Sequence, residues 1–356
     1  MAYTTINKST DYFNTKLYTG DGTSSNAITG VGFQPDWLWI KNRTDNGTSH
    51  VLTDSLTFSD RRKSDTNGAD ETNNRVGSYD SDGFTLNSSS SQVNASSKNY
   101  AAWNWLANGS GSANTDGTIS STVSANTTAG FSIVTYTGNA TSGATIGHGL
   151  GAVPKMYMVK RRDTTGRWQV YHVGLDSSSP EDKYIFLDGT ETVQDATNRW
   201  NDTAPTSSVF SLGNSDEVNA SGGTYVAYCF AEKTGYSKFG KYTGNNNASG
   251  PFIYTGFKPA FVMLKSITAG NAQNWYMYDN KRDGYNGSTD GYMLRPLWAS
   301  SSNSEASVGN YKFDIYSNGF KIRETGNQTN GASNEYLYMT FGQSLVGSNN
   351  VPCTAF

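Results

Sequence analysis

The chain has 356 residues and a net charge of −3, from 27 basic and 30 acidic side chains; charged residues are 16% of it, well under the usual figure of about 25%. With 38 glycines, 8 prolines, 35 asparagines and 13% aromatic residues, the surface is built from neutral polar groups, and full disorder is excluded. No apolar run is long enough for a membrane span, MAYTTINKST is not read as a secretory leader, and the balanced charge offers no basic field for nucleic acid.

In chain order, a short extension (1–9) precedes LYTGDGTSSNAITGVGFQPDWLWIKNR. That phrase returns as TYTGNATSGATIGHGLGAVPKMYMVKRR and KYTGNNNASGPFIYTGFKPAFVMLKSI. Tyr18, Tyr136 and Tyr242 are spaced by 118 and 106 residues, and Pro35, Pro154 and Pro259 by 119 and 105. Each copy ends alike, with a short strand up to Leu86, Leu212 or Ile322, a polar loop, and a strand from Tyr100, Tyr225 or Tyr336. This sets three repeats at 10–109, 128–235 and 236–345, the last the candidate contact module. Between the first two lies a Gly/Ser/Thr-rich linker or surface loop (110–127), and a tail (346–356) follows.

Alternating apolar residues predict strands at 37–41, 156–160 and 261–266. Both parities are often apolar, which predicts cover on both faces. A proline before each run belongs at strand entry. NGT, DGT, DSDG and TTG clusters supply turns, and no helix-period run is convincing. The expected fold is all-β: three tandem antiparallel β-sandwich units, jelly-roll or lectin-like, with helix near or below about 10%.

His50, His148 and His172 show no zinc-ligand spacing, and His50 and His172 fall at comparable places in the first two repeats, with Trp275 near the third. Asp279 to Asp290 (DNKRDGYNGSTD) has an acid at each end, but Lys281 stands where an EF-hand needs Asp or Asn; bound calcium is only weakly supported, and no other cofactor is expected. Asp176, Glu181, Asp182, Asp188 and Glu191 have no spacing that marks a hydrolytic pair. Cys229 reads as a small buried hydrophobe, and Cys353 lies near the C-terminus. No catalytic residue is assigned, and the chain is expected not to be an enzyme. Aromatics beside Asn and Asp are the better lead, because their rings stack on sugar C–H faces. They single out Trp275, Tyr278, Asp279, Asp283, Tyr285, Asn286, Tyr292, Arg295 and Trp298 as candidate contact residues.

The repeated YTG phrase, fullest at 18–43, and the closing YVAYCFAE resemble modules of virion proteins from marine tailed bacteriophages. These are tail-fibre-like or other appendage proteins. The resemblance implies a structural protein on the outside of a virion, in a tail fibre or adsorption appendage. It implies other virion proteins and a host cell-surface glycan or protein as partners, and a homo-oligomer, with trimers frequent. Capsid decoration or a head fibre, and a depolymerase of host polysaccharide, are the alternatives.

Overall fold

The computed structural model describes residues 3–268, 270–282, 295–306 and 311–347. The fold is all-β, with several antiparallel sheets. In the first repeat β1 (Phe13–Thr19), β2 (Asn26–Thr29), β3 (Trp37–Asn42), β4 (Val51–Asp54), β5 (Val76–Asp80), β6 (Gly83–Leu86) and β7 (Asn99–Trp105) form sheets ordered β1-β7-β3-β4 and β2-β6-β5. Next come β8 (Ser112–Asn114), β9 (Ser121–Asn126), β10 (Phe131–Thr137), β11 (Ala144–Gly147), β12 (Met156–Arg161), β13 (Gln169–His172), β14 (Lys183–Phe186), β15 (Gln194–Asp195), β16 (Val209–Leu212) and β17 (Thr224–Phe230). They give an eight-stranded sheet, β15-β14-β13-β12-β17-β10-β9-β8, and the pair β11-β16. The third repeat has β18 (Ser237–Thr243), β19 (Phe252–Tyr254), β20 (Lys258–Ser266), β21 (Trp275–Asp279), β22 (Leu297–Trp298), β23 (Phe313–Tyr316), β24 (Gly319–Ile322) and β25 (Glu335–Gln343), ordered β18-β25-β20-β21-β22 and β19-β24-β23. Among the described residues the α-helices are two single turns, α1 (Thr197–Trp200) and α2 (Asp216–Asn219). No sheet there closes into a barrel, and the strand orders single out no jelly roll.

Residues 110–127 carry β8 and β9, which continue the second repeat's sheet through β10. Pro35 and Pro154 precede β3 and β12, whereas Pro259 is the second residue of β20. A register shift between Pro259 and Phe261 accommodates it, as a bulge does for a residue that lacks a donor.

The opening tyrosines recur in one geometry. Tyr18, Tyr136 and Tyr242 face Tyr100, Tyr225 and Tyr336 across the strand pair. The rings stack at 5.0, 5.0 and 5.1 Å. Each opening hydroxyl donates to a loop carbonyl, that of Val93, Val218 or Thr329. The glycine of each Tyr-Thr-Gly is required by space: a Cβ on Gly20, Gly138 or Gly244 would sit 2.3, 2.4 or 2.3 Å from a carbonyl oxygen. A buried asparagine (Asn94, Asn219 or Asn330) accepts the backbone N–H that follows.

Each repeat has a core between its large and small sheets; that of the first joins Leu38, Ile40, Tyr100 and Ala102 to Ile28, Val76, Phe84 and Leu86. The second and third have counterparts. The opposite faces of the three large sheets share a fourth core, which takes Trp37, Trp39, Trp103 and Trp105 from the first repeat, Met156, Met158, Tyr228 and Phe230 from the second, and Phe261, Met263, Met339 and Phe341 from the third. This double burial explains why both parities of these strands are apolar.

The contacts between repeats run in a cycle. The Lys41 ammonium donates to the carbonyl of Ser302 in the third repeat at 3.1 Å, Lys160 to Asn67 in the first at 3.4 Å, and Lys265 to Thr190 in the second at 2.9 Å. Burial lowers Lys41 and Lys160 to about 8 and Lys265 to about 7. Trp275 faces Lys265, and one register step beyond Ile40↔Val51 and Val159↔Gln169 places His50 opposite Lys41 and Trp168 opposite Lys160. The counterpart of His50 is therefore Trp168, not His172. Their ring N–H groups follow the same cycle: His50 meets Trp298 O at 2.9 Å, Trp168 meets Lys63 O at 2.8 Å and Trp275 meets Phe186 O at 2.8 Å.

Candidate functional site

Of the contact residues proposed from sequence, those among the described residues do not form one exposed loop. Trp275, Tyr278 and Asp279 lie on β21 and are buried. Trp275 closes the second–third boundary, Tyr278 stacks on Phe313 at 4.9 Å, and Asp279 accepts from Arg282 and from the indole of Trp103. Trp298 is half-buried against Tyr276 and Tyr311. Arg295 is exposed, and its carbonyl accepts from Arg282. Asp283, Tyr285, Asn286 and Tyr292 lie outside the described residues, as do most of the proposed calcium loop and Cys353.

The exposed aromatic surface lies elsewhere in the same repeat. Large hydrophobic side chains that are exposed among the described residues are Tyr3, Val153, Phe252, Tyr254, Tyr316 and Leu345. Four of the six gather on the outer face of β19-β24-β23 or beside it: Tyr254 (55% exposed), Phe252 (46%), Tyr316 (40%) and Tyr3 (40%). The strand period builds this face. Ile253 points inward between Phe252 and Tyr254, and Ile315 inward beside Tyr316. Phe252 meets Tyr316 edge to face at 5.7 Å, and the Tyr3 hydroxyl donates to Gly256 O at 2.9 Å. Gly319 lies opposite both Tyr254 and Tyr316 and keeps the floor between the rings low; a Cβ there would meet Ile253 O at 2.2 Å and the Phe252 ring at 2.7 Å.

Register isolates this feature to the third repeat. Ile28, Ile146 and Ile253 occupy one position, opposite Phe84, Phe210 and Phe320. The neighbours of Ile253 are Phe252 and Tyr254, where the first repeat has Ala27 and Thr29 and the second has Thr145 and Gly147. Asp80, opposite Gly83, stands where Tyr316 faces Gly319. In the second repeat Thr145 is engaged by Thr118, from the stretch between β8 and β9. The sequence signal is FIY against AIT and TIG. Ile28 and Ile146 follow their tyrosines by ten residues and Ile253 by eleven, and that one-residue offset hides the correspondence.

Charge on the face is positive. The Lys238 ammonium lies 5.3 Å from the Tyr254 ring centroid, a cation–π geometry. Lys321 reaches Ser249 Oγ at 3.1 Å. Asp314, raised by burial and held back by Arg323, pairs with that guanidinium at 3.3 Å. Such a surface can stack on apolar ring faces and pair with anionic groups.

The three histidines, Cys229 and three of the five acids singled out from sequence are committed elsewhere. Each histidine accepts an N–H at Nδ1, from Trp39, Leu150 or Gly174, which leaves Nε2 to donate to the carbonyl of Trp298, Thr206 or Tyr338. Asp176 caps Ser178 and Ser179, and Asp188 and Glu191 both pair with Arg167. Burial raises the Cys229 thiol. Among the described residues no group of three or more His, Cys, Asp or Glu is placed to hold a metal, and no helix is long and apolar enough to cross a membrane.

Among the described residues, fold and face define an all-β protein with an aromatic surface patch on its third repeat. Residues 8–344 match the family described as Domain of unknown function (DUF7483), and the chain belongs to that family. A search of curated proteins finds no match.

Proposed function

We propose that this protein is a non-enzymatic structural component of a phage virion, built as three tandem antiparallel β-sandwich units of lectin-like type. In this reading it belongs to a tail fibre or adsorption appendage and contacts host-surface glycan through Phe252, Tyr254 and Tyr316. The carrying observation is that the third repeat alone exposes aromatic rings where its two sister positions hold small residues. The core shared by all three repeats supports a load-bearing role, since no repeat moves without disturbing its neighbours. The tail-fibre-like resemblance of the YTG modules supports the virion setting. Oligomerisation through other surfaces would multiply a weak contact by effective concentration.

The test uses labelled protein and host cells. The parent is expected to bind whole cells without releasing reducing sugar, and the triple variant Phe252→Ala, Tyr254→Ala, Tyr316→Ala to lose binding at unchanged melting temperature. Undiminished binding by the triple variant would remove the face from the function. A particle map with this chain only on the capsid shell would replace the appendage reading with decoration.

A further inference from the structure

The aromatic face does not end at Phe252. On β24 the outward row continues from Gly319 through Lys321 to Arg323, and the neighbouring row runs from Tyr316 through Asp314 to Lys312. Four residues of strand cover roughly 13 Å. At the far end lies a cleft of about 600 Å³, whose lining includes Lys312, Arg323, Glu324, Asn327 and Gln328. That volume is typical of small-ligand sites.

Two acceptors in this lining lack a protein donor. Glu324 is only 6% exposed, and its Oε2 has no hydrogen-bond partner, while Oε1 accepts from the Thr329 hydroxyl. Gln328 Oε1 is likewise buried and unpartnered. The sister residues of Gln328 are satisfied: Gln92 Oε1 accepts from Arg61 at 3.0 Å, and Glu217 Oε2 from the Arg167 backbone N–H at 2.6 Å. Buried acceptors are costly when unpaired, so the third repeat's loop departs from its sisters where the cleft opens. Burial lifts the Glu324 carboxyl to about 7, so it ionises in mildly alkaline medium and becomes a charged acceptor.

We infer that the cleft and the row leading to it bind an acidic saccharide: hydroxyls of one sugar donate to Glu324 and Gln328, Lys312, Lys321 and Arg323 face its carboxylate or sulfate groups, and the chain runs on over the Phe252, Tyr254 and Tyr316 rings. The inference rests on the glycan-contact reading above and adds the ligand's charge. Lys238, Lys312, Lys321 and Arg323 supply four positive charges against Asp314 and Glu324, on a chain whose net charge is −3, so the complementarity is local.

The probes are two tetrasaccharides of equal length, one carrying a hexuronic acid at alternate positions and the other its carboxyl-reduced neutral counterpart, titrated calorimetrically into the full chain. The acidic one is expected to bind about tenfold tighter, with the preference shrinking as salt is added. Lys312→Gln with Lys321→Gln should erase the preference at unchanged melting temperature, and Glu324→Gln should weaken both ligands. Should Glu324→Gln fail to fold, the lysine pair still decides. Equal affinity for the two probes, a preference that survives the lysine changes, or no binding of either would overturn the inference. Loss of both ligands in Tyr254→Ala would uphold the aromatic reading even without an acid preference, and the whole-cell assay judges that reading independently.

Discussion

Arg62 of the first repeat donates to the Tyr228 hydroxyl of the second across 2.6 Å, inside the protein, while Tyr228 donates to Asp54 at 2.7 Å. The same guanidinium pairs with Asp54 and Asp70, and the Arg62 and Asp54 side chains are fully buried. Removing the cation leaves the buried Asp54 without its counter-ion, while Asp70 keeps Arg162; removing the hydroxyl leaves the ion pairs intact. Arg62→Met is therefore expected to cost about 3–5 kcal/mol and Tyr228→Phe about 1–3 kcal/mol in urea unfolding. The reverse order would contradict this assignment.

The repeated glycine gives a sharper steric test. Gly138→Ala drives a methyl to 2.4 Å from the Ala220 carbonyl, whereas the nearest atom to a Cβ on Gly68 is 3.9 Å away. The first change is expected to lose about 2–3 kcal/mol and the second less than about 0.5 kcal/mol. Equal melting temperatures would mean that the strand-to-loop approach is looser than described.

Burial lowers the His172 imidazole from 6.5 to about 4. Between those values the unfolded chain takes up a proton that the folded one refuses, so this residue's contribution to stability falls as pH drops through that window. It amounts to about 3 kcal/mol at most. Glu324, raised from 4.5 to about 7, works in the opposite sense, because the folded state takes its proton first. The measurement is thus the difference in slope between parent and His172→Gln across pH 4–7. Parallel curves would show that His172 is protonated in the folded protein.

Exposed and interior aromatics of the third repeat should separate cleanly. Tyr254→Ala is expected to change stability by less than about 0.5 kcal/mol. Trp275→Ala empties a buried site whose indole donates to Phe186 O, and about 3–5 kcal/mol should be lost. Similar losses at both positions would place Tyr254 in a covered environment.

The common core predicts cooperative behaviour. Calorimetry of the whole chain should give one transition, and a fragment of residues 236–345 should not fold alone, since Phe261, Met263, Met339 and Phe341 would face water. Three resolved transitions would show that the repeats are thermodynamically independent.

Much of the strand layout was legible because turns and period-2 runs are local signals. Leu86, Leu212 and Ile322 do end β6, β16 and β24. The recurrence of tyrosine and glycine followed from their spacing. The cycle was not legible: a strand that is apolar on both parities announces two covers but not their source, and no local pattern links Lys41 to Ser302. For the same reason Trp275 and Tyr278 looked like contact residues. The face of Phe252 and Tyr254 was concealed by a three-residue apolar run that reads as ordinary core until its register is known.

In open repeat arrays the terminal copies need polar caps, because each has a bare flank. Here the first repeat meets the third through Arg43–Glu305 and Lys41–Ser302, and the second meets both. Copy number is thus fixed by closure: a fourth copy would have to break a seam to enter, and loss of one would strip two flanks at once. Such a chain can diversify copy by copy, but it cannot lengthen or shorten by duplicating or deleting one of them.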